Sequence, residues 1–221
     1  MRRVFLLALR DLRLEVRDRT GLLSLLSFFA VMLFIMALAL GPEEAPLRRA
    51  APGVLWVALA FMSTLLSSRA FALEVEEATL DDLLLTPGGK EWIYFGKLLF
   101  QLLLLFPLSL LALVMAAGLF YLPLERGLPL LLTLLLGVLG YASVATFYAG
   151  LLARLRGREA LLPLLLFSLV VHVVLTSVRA TAGLLEGLPV AEAADWWRLL
   201  LVFDVVYVTA SALLFPVVLE G

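Results

Sequence analysis

Six apolar runs of membrane-spanning length constrain this sequence more than any other feature. The first, Gly21–Leu40, carries no charge, and as a helix it would be about 30 Å long, the thickness of a bilayer core. The other runs are Gly53–Ala70, Phe95–Tyr121, Leu130–Leu152, Ala160–Gly183 and Leu199–Leu219. Because lipid cannot satisfy backbone polar groups, we predict an all-α membrane protein with six transmembrane helices.

Composition and motifs exclude several classes of function. The chain is 63% hydrophobic and 16% charged, whereas soluble domains are about 45–50% apolar and about 25% charged. It has no cysteine and one histidine, which excludes disulfides, thiolate metal sites and two-histidine haem ligation within one chain. The sequence contains no Walker motif, convergent Ser-His-Asp set or phosphate-cradling glycine loop, so we predict neither an enzyme nor catalytic or metal residues. We expect membrane lipids and proteins as partners, and no nucleic acid.

The first twenty residues predict an amphipathic helix at the membrane surface. Apolar residues alternate there with charged ones, and the segment is the most basic in the chain. Such a helix is suited to the cytoplasmic surface, and it is not a cleavable signal peptide because the apolar run behind it is long enough to span. Its apolar side includes Val4, Leu7, Leu12 and Leu14, and its arginines are Arg2, Arg3, Arg10, Arg13, Arg17 and Arg19.

The basic residues are distributed unevenly between the two sides of the predicted membrane. With the N-terminus inside, six precede the first span and six more lie in inner loops, against five outside. The inner-loop residues are Arg69, Lys90, Lys97, Arg154, Arg156 and Arg158, and the outer ones are Arg48, Arg49, Arg126, Arg179 and Arg198. The positive-inside rule therefore predicts that both termini are cytoplasmic.

An acidic segment over residues 72–94, with Glu74 and Glu77 at its start, is the longest polar interruption. Thr79 can cap a helix whose Leu80, Leu83 and Leu84 form an apolar stripe. Asp81 and Asp82 face water, and Pro87 ends the helix. Such a helix could dock into a groove on a partner protein or lie on the lipid headgroups. Its acidic face favours docking, because interfacial helices usually carry basic residues.

A few polar and aromatic residues lie in or beside the last two spans. His172 could be a single haem ligand, a proton relay or a packed neutral imidazole, and Arg179 lies two helical turns further on the same face. Trp196 and Trp197 could hold haem, although paired tryptophans at a span entrance usually form an aromatic belt. Asp204, predicted only a turn or two inside the sixth span, would need a partner such as Arg198 or access to water.

The sequence resembles the cytochrome c maturation protein B family, also called haem exporter protein B, nearly end to end. The resemblance rests on RDLRLE at Arg10–Glu15, LALGPE at Leu38–Glu43 and APGVLWVA at Ala51–Ala58. The acidic segment carries it most, through Phe71, Glu74, Glu77, Thr79, Leu80, Asp82, Leu83, Leu84, Thr86, Pro87 and Lys97. The departures are Ala78, Gly88 and Gly89, together with a divergent fifth span.

The resemblance implies a single permease domain, 1–221, of an ABC transporter in the bacterial cytoplasmic (inner) membrane. Residues 1–20 would be its elbow helix, 72–94 its cytoplasmic coupling segment and 184–197 an outer connector. It implies ATP and Mg on a partner ATPase, maturation protein A, with no firmly bound cofactor here and haem as possible cargo. Proteins C and D and, indirectly, the haem chaperone E would be further partners. We expect a homodimer with the small-residue faces of the spans in contact. The alternative is a non-transporting membrane scaffold of a haem-handling complex; an integral membrane enzyme ranks last.

Overall fold

The structure is a computed structural model, and it describes residues 2–17, 19–71, 74–75, 90–123, 125–153, 155 and 158–220. Within those ranges there are seven helices and no strand. The helices are α1 (Arg2–Arg17), α2 (Arg19–Leu40), α3 (Glu44–Arg69), α4 (Glu91–Phe120), α5 (Gly127–Leu151), α6 (Arg158–Leu185) and α7 (Val190–Glu220). Helices α2 to α7 are long and apolar enough to cross a membrane, so the predicted fold class is confirmed.

Two connections are shorter than the sequence predicted. Helix α3 begins at Glu44, not near Gly53. Pro46 lies in its first turn, where a proline needs no backbone hydrogen bond, and Pro52 lies further inside the helix. Only residues 186–189 of the expected outer connector, 184–197, lie outside a helix. Gly187, at φ 88°, makes the turn, and the tryptophans therefore belong to the first turns of α7 rather than to a separate segment.

Helices α3 and α5 are the most buried spans, and α2 and α7 are among the most exposed. Glycines on α5 allow the close packing, because a Cβ would meet a neighbouring side chain at each of three positions. The pairs are Gly137 with Trp56, Gly140 with Asp204 and Gly150 with Phe215. The small-residue face of α5 is thus occupied within the chain, and the expectation that it forms dimer contacts is wrong for this helix.

Hydrogen bonds between side chains fix α3 against three neighbouring spans. Such bonds, together with close van der Waals packing, hold helices together where lipid offers no hydrophobic driving force between them. The pairs are Trp56 Nε1 to Thr181 Oγ1 at 2.9 Å, the hydroxyls of Thr64 and Tyr141 at 2.8 Å, and Gln101 Nε2 to Ser67 Oγ at 3.0 Å. Helix α3 is therefore held on α4, α5 and α6 together.

A buried ion cluster as the candidate functional site

Helix α1 packs along α4 through its apolar face. Leu7, Ala8 and Asp11 are the buried residues of α1, and their spacing of three and four places them on one side of the helix. Gly96 on α4 allows the contact, because an added Cβ there would lie 2.7 Å from Leu7 Cδ2. The sequence pattern of α1 therefore delivers one carboxylate, that of Asp11, into an otherwise apolar helix interface.

Lys97 on α4 meets that carboxylate and is almost fully buried, with 1% of its side chain exposed. Its Nζ lies 2.9 Å from Asp11 Oδ2, 2.8 Å from Glu74 Oε1 and 2.6 Å from the carbonyl oxygen of Ala70. Two of these contacts, to Glu74 and to Ala70, are hydrogen bonds, and the contact with Asp11 is an ion pair. The same nitrogen lies 4.8 Å from the centre of the Phe71 ring, a cation–π contact.

Arg10 completes the group from the partly exposed side. Its Nη2 lies 2.8 Å from Asp11 Oδ1 and also pairs with the carboxylate of Glu74. We call Arg10, Asp11, Glu74 and Lys97 the ion cluster. Its two positive and two negative charges cancel, which makes burial of the four groups tolerable. A further ion pair, in which Arg69 Nη1 lies 3.7 Å from Glu15 Oε1, links α1 to α3.

The ion cluster keeps Glu74 ionised although its side chain is only 2% exposed. Burial alone would raise the pKa of this carboxyl. The charge and hydrogen bond of Lys97, a backbone hydrogen bond and the charge of Arg10 outweigh burial, so the pKa of Glu74 is lowered. The same acids raise the pKa of Arg10 against the opposing effect of its burial. Both shifts favour the charged forms of Glu74 and Arg10 at neutral pH.

The ion cluster joins α1 to both flanks of the acidic segment. Glu74 lies at the start of the segment, Lys97 follows its end, and Asp11 and Arg10 come from the N-terminal helix. A buried ion pair between Glu74 and Lys97 therefore links the chain before residues 76–89 to helix α4 after them. Sequence analysis placed Glu74 among acids that face a partner; instead its carboxylate is engaged within the chain, because Lys97 and Arg10 need it as a counter-charge.

Aromatic side chains connect the ion cluster with the last span. The ring centre of Phe71, which contacts Lys97, lies 6.3 Å from that of Phe215 on α7. The ring of Tyr94 on α4 lies 5.5 Å from Phe215. Phe215 in turn packs on Gly150 of α5, where a Cβ would lie 2.4 Å from the ring. Contiguous contacts therefore run from the cluster into the packing of α5 and α7.

Most of the predicted partner-facing residues lie outside the described part of the chain: Glu77, Thr79, Leu80, Asp82, Leu83, Leu84 and Pro87. The four candidates for a haem or polar site do not converge on one point. His172 is exposed on α6, with its ring 6.0 Å from that of Phe203, and Arg179 is also exposed. Trp197 points to α5 and donates to Thr133 Oγ1 at 2.8 Å, whereas Trp196 is 37% exposed.

Sequence reasoning missed the ion cluster, although two signals for it were present. Lys97 lies two residues inside the predicted third span, and an ionisable residue in a span needs a partner. Asp11 falls on the apolar side of α1, one turn after Leu7. A pair between these two residues, 86 positions apart, could therefore have been predicted. The basic residues of the inner loops were used only to predict the orientation of the chain in the membrane.

Comparisons with known proteins agree with this architecture. Residues 2–220 match the family model described as "CcmB protein". The chain is 34% identical over 198 residues to "Heme exporter protein B" of Pseudomonas aeruginosa, covering 86% of each chain. It is 33% identical to the protein of that name from Rhodobacter capsulatus, over 82% of this chain and 83% of the relative. For the one from Paracoccus denitrificans the identity is 36%, over 79% and 80%. With a match along nearly its whole length, the chain belongs to the CcmB protein family.

Proposed function

We propose that this chain is the permease subunit of an ABC transporter for cytochrome c maturation, which couples ATP hydrolysis by a partner to haem export or to release of a haem-loaded chaperone. Family membership and the name shared by its relatives support this proposal. The excess of basic residues on one side favours an orientation with both termini cytoplasmic, and membership of the family favours the bacterial cytoplasmic membrane. The catalytic residues for ATP belong to the partner, because no Walker motif exists in this sequence.

The observation that carries the proposal is the closure of the acidic segment by the ion cluster. Displacement of a segment whose flanks are free need not move the rest of the protein. Displacement of a segment whose flanks are bonded also moves the elements to which those flanks are bonded. Here these are α1 and α4, through Asp11 and Lys97. A passive scaffold gains nothing from such a connection.

The partner would bind the acidic segment between Val75 and Lys90. Glu77 and Asp82 would face basic residues of the ATPase, and the leucine stripe would fill an apolar floor. Glu74 is not part of this surface, because its carboxylate belongs to the ion cluster. An ABC transporter closes two ATPase subunits around two nucleotides, so two copies of this chain are expected. Maturation proteins C and D, and the chaperone E indirectly, would complete the assembly.

The test is co-purification of the ATPase with variants of the acidic segment. Glu77→Ala or Asp82→Ala should weaken ATPase binding by about 2–5 kcal/mol if the removed charge is fully desolvated. Leu83→Asp should be worse, because it buries an unpaired charge. Glu192→Ala, an exposed acid on the first turn of α7, is the matched control. An ATPase that stays bound and active with all three variants would favour the scaffold.

Variants of the ion cluster separate binding from transmission. Lys97→Met leaves the acidic segment itself unchanged but opens its bonded ends. We therefore expect the ATPase to co-purify while c-type cytochrome production falls. If production is unchanged when the cluster is broken, the cluster is a structural feature only, and the mechanical argument for a permease loses its support.

A further inference from the structure

The last span carries a buried carboxyl group. Asp204 lies six positions after the exposed Arg198, in the apolar part of the candidate span Val190–Val218. At 1.5 Å per residue it lies about 9 Å along α7 from Arg198, which is the depth of one or two turns that the sequence predicts. Its side chain is 2% exposed. An ionisable group at this depth and burial indicates a function by default.

No partner for this carboxyl group is found in the part of the chain that the structure describes. Neither Oδ1 nor Oδ2 has a hydrogen-bond partner there. Arg198, the counter-charge considered from sequence, instead pairs with Asp195 at 2.8 Å on the exposed start of α7. Six residues separate Arg198 from Asp204 and place them on different sides of the helix. The expectation of that ion pair is therefore wrong.

The surroundings of Asp204 are shaped to hold an uncharged carboxyl. On α5, a Cβ at Gly140 would lie 2.5 Å from Asp204 Oδ1, so any larger residue there would displace the carboxyl group. The methyl groups of Val173 on α6 close the same contact, at 3.2 and 3.3 Å from that Cβ position. An unpaired carboxylate is strongly disfavoured between a helix backbone and valine methyls, whereas a protonated carboxyl is tolerated. Where α5 packs on α6, Ser177 Oγ is buried against Gly137, also without a hydrogen-bond partner within the described ranges.

The other titratable groups on the helices around Asp204 are engaged elsewhere or exposed. Several hydroxyls have partners: Tyr141 bonds with Thr64, Tyr207 donates to the Leu169 carbonyl and Tyr94 to the Ser143 carbonyl. Lys97 belongs to the ion cluster, His172 lies against Phe203, Arg179 is exposed, and Tyr148 lies two turns from Gly140 toward the far end of α5. The proton is thus the ligand that this site can take without a further charged group.

We propose that Asp204 is a proton-binding site within the membrane. It is neutral while α5 and α7 are packed together, and it releases its proton only when the contact between these two helices, which we call the seam, opens. Its protonation state then changes with the separation of the two helices, and in turn shifts the equilibrium between their packed and separated arrangements. The site goes beyond the permease role proposed above, and its existence does not depend on the transported substrate.

Infrared spectroscopy of the purified chain in lipid bilayers tests the protonation state directly. The difference spectrum between the wild type and Asp204→Asn should contain the C=O band of a protonated carboxyl at pH 7, and the band should persist when the pH is raised to 9. Thr209→Val, an exposed change on the same helix, should leave the band unchanged. A carboxylate signal in its place, or a signal that responds to Na⁺ or K⁺, would overturn the proposal.

A second variant keeps the test decisive if Asp204→Asn folds poorly. Gly140→Ala moves the carboxyl without removing it, so we expect the protonated band to shift in position and to disappear at lower pH than in the wild type. Hydrogen exchange of α7 peptides, corrected for the intrinsic pH dependence, should then increase at the pH where the band is lost. A band that Gly140→Ala does not move, or band loss without faster exchange, would contradict the coupling to the seam.

Discussion

Replacing Lys97 with methionine gives the sharpest test of how α1 is held in place. Methionine keeps most of the volume of the side chain but removes two hydrogen bonds and the positive charge. The carboxylates of Asp11 and Glu74 then remain buried, at 8% and 2% exposure. Breaking a buried pair on one side costs about 3–5 kcal/mol. Because Arg10 still pairs with both acids, we expect a loss near the lower end, about 3 kcal/mol.

The assay is a titration with a denaturing detergent, followed by the helical signal and by hydrogen exchange of α1. Arg13→Gln is the matched control, since Arg13 is an exposed basic residue of the same helix, and it should change stability by less than about 0.5 kcal/mol. Adding Asp11→Asn and Glu74→Gln to Lys97→Met should recover part of the loss, because uncharged groups are easier to bury. If Lys97→Met and Arg13→Gln have the same stability, the ion cluster does not hold α1.

Three further predictions follow from the same structure. The pKa of Glu74 is lowered on folding. The difference in unfolding free energy between the wild type and Glu74→Gln should therefore be constant above the pKa of the unfolded chain, about 4.3, and should shrink as the pH falls through the pKa of the folded protein. Unfolding titrations at several pH values measure this difference. Gly137→Ala should destabilise the bundle because its Cβ would lie 2.2 Å from a tryptophan ring, whereas Gly53→Ala, with open space, should be neutral or stabilising; thermal unfolding of the two variants compares them. In this cysteine-free chain, an impermeant thiol reagent added outside should label Glu125→Cys but not Leu155→Cys, and the reverse pattern would invert the proposed topology.

The sequence was sufficient to predict the membrane-spanning helices, but it was not sufficient to predict which residues make the contacts between them. Charge-free runs predict spans because the bilayer leaves few alternatives, and the pattern of α1 predicts an amphipathic helix. The predicted start of the second span at Gly53 was wrong because Pro46 and Pro52 were interpreted as part of a loop. Helix α3 begins at Glu44 and contains both prolines. A proline near a helix start is compatible with either a loop or a first turn, so the sequence alone did not decide between them.

Contacts between distant residues were predicted least well, for a physical reason. Lys97 and Asp204 both place an ionisable group in an apolar run. From the sequence, a local partner or water was expected for Asp204, and none was considered for Lys97. In the structure, Lys97 finds its partners 86 and 23 positions away, at Asp11 and Glu74, whereas Asp204 has none within the described residues. Which outcome occurs depends on which helices are neighbours, and hydrophobic periodicity alone does not specify that.

The aromatic contacts between the ion cluster and α7 decide whether the two ends of the proposed mechanism can act together. Contiguity by itself does not establish energetic coupling, so we expect it to be visible only in a double-mutant cycle. Phe215→Leu and Lys97→Met share Phe71 as a common neighbour, and residues that share a partner couple by about 0.5–3 kcal/mol. In the same cycle, Phe215→Leu with an exposed change such as Arg13→Gln should be additive. If both cycles are additive, these aromatic contacts do not couple the ion cluster to α7, and the proton site and the ion cluster are independent features of the same chain.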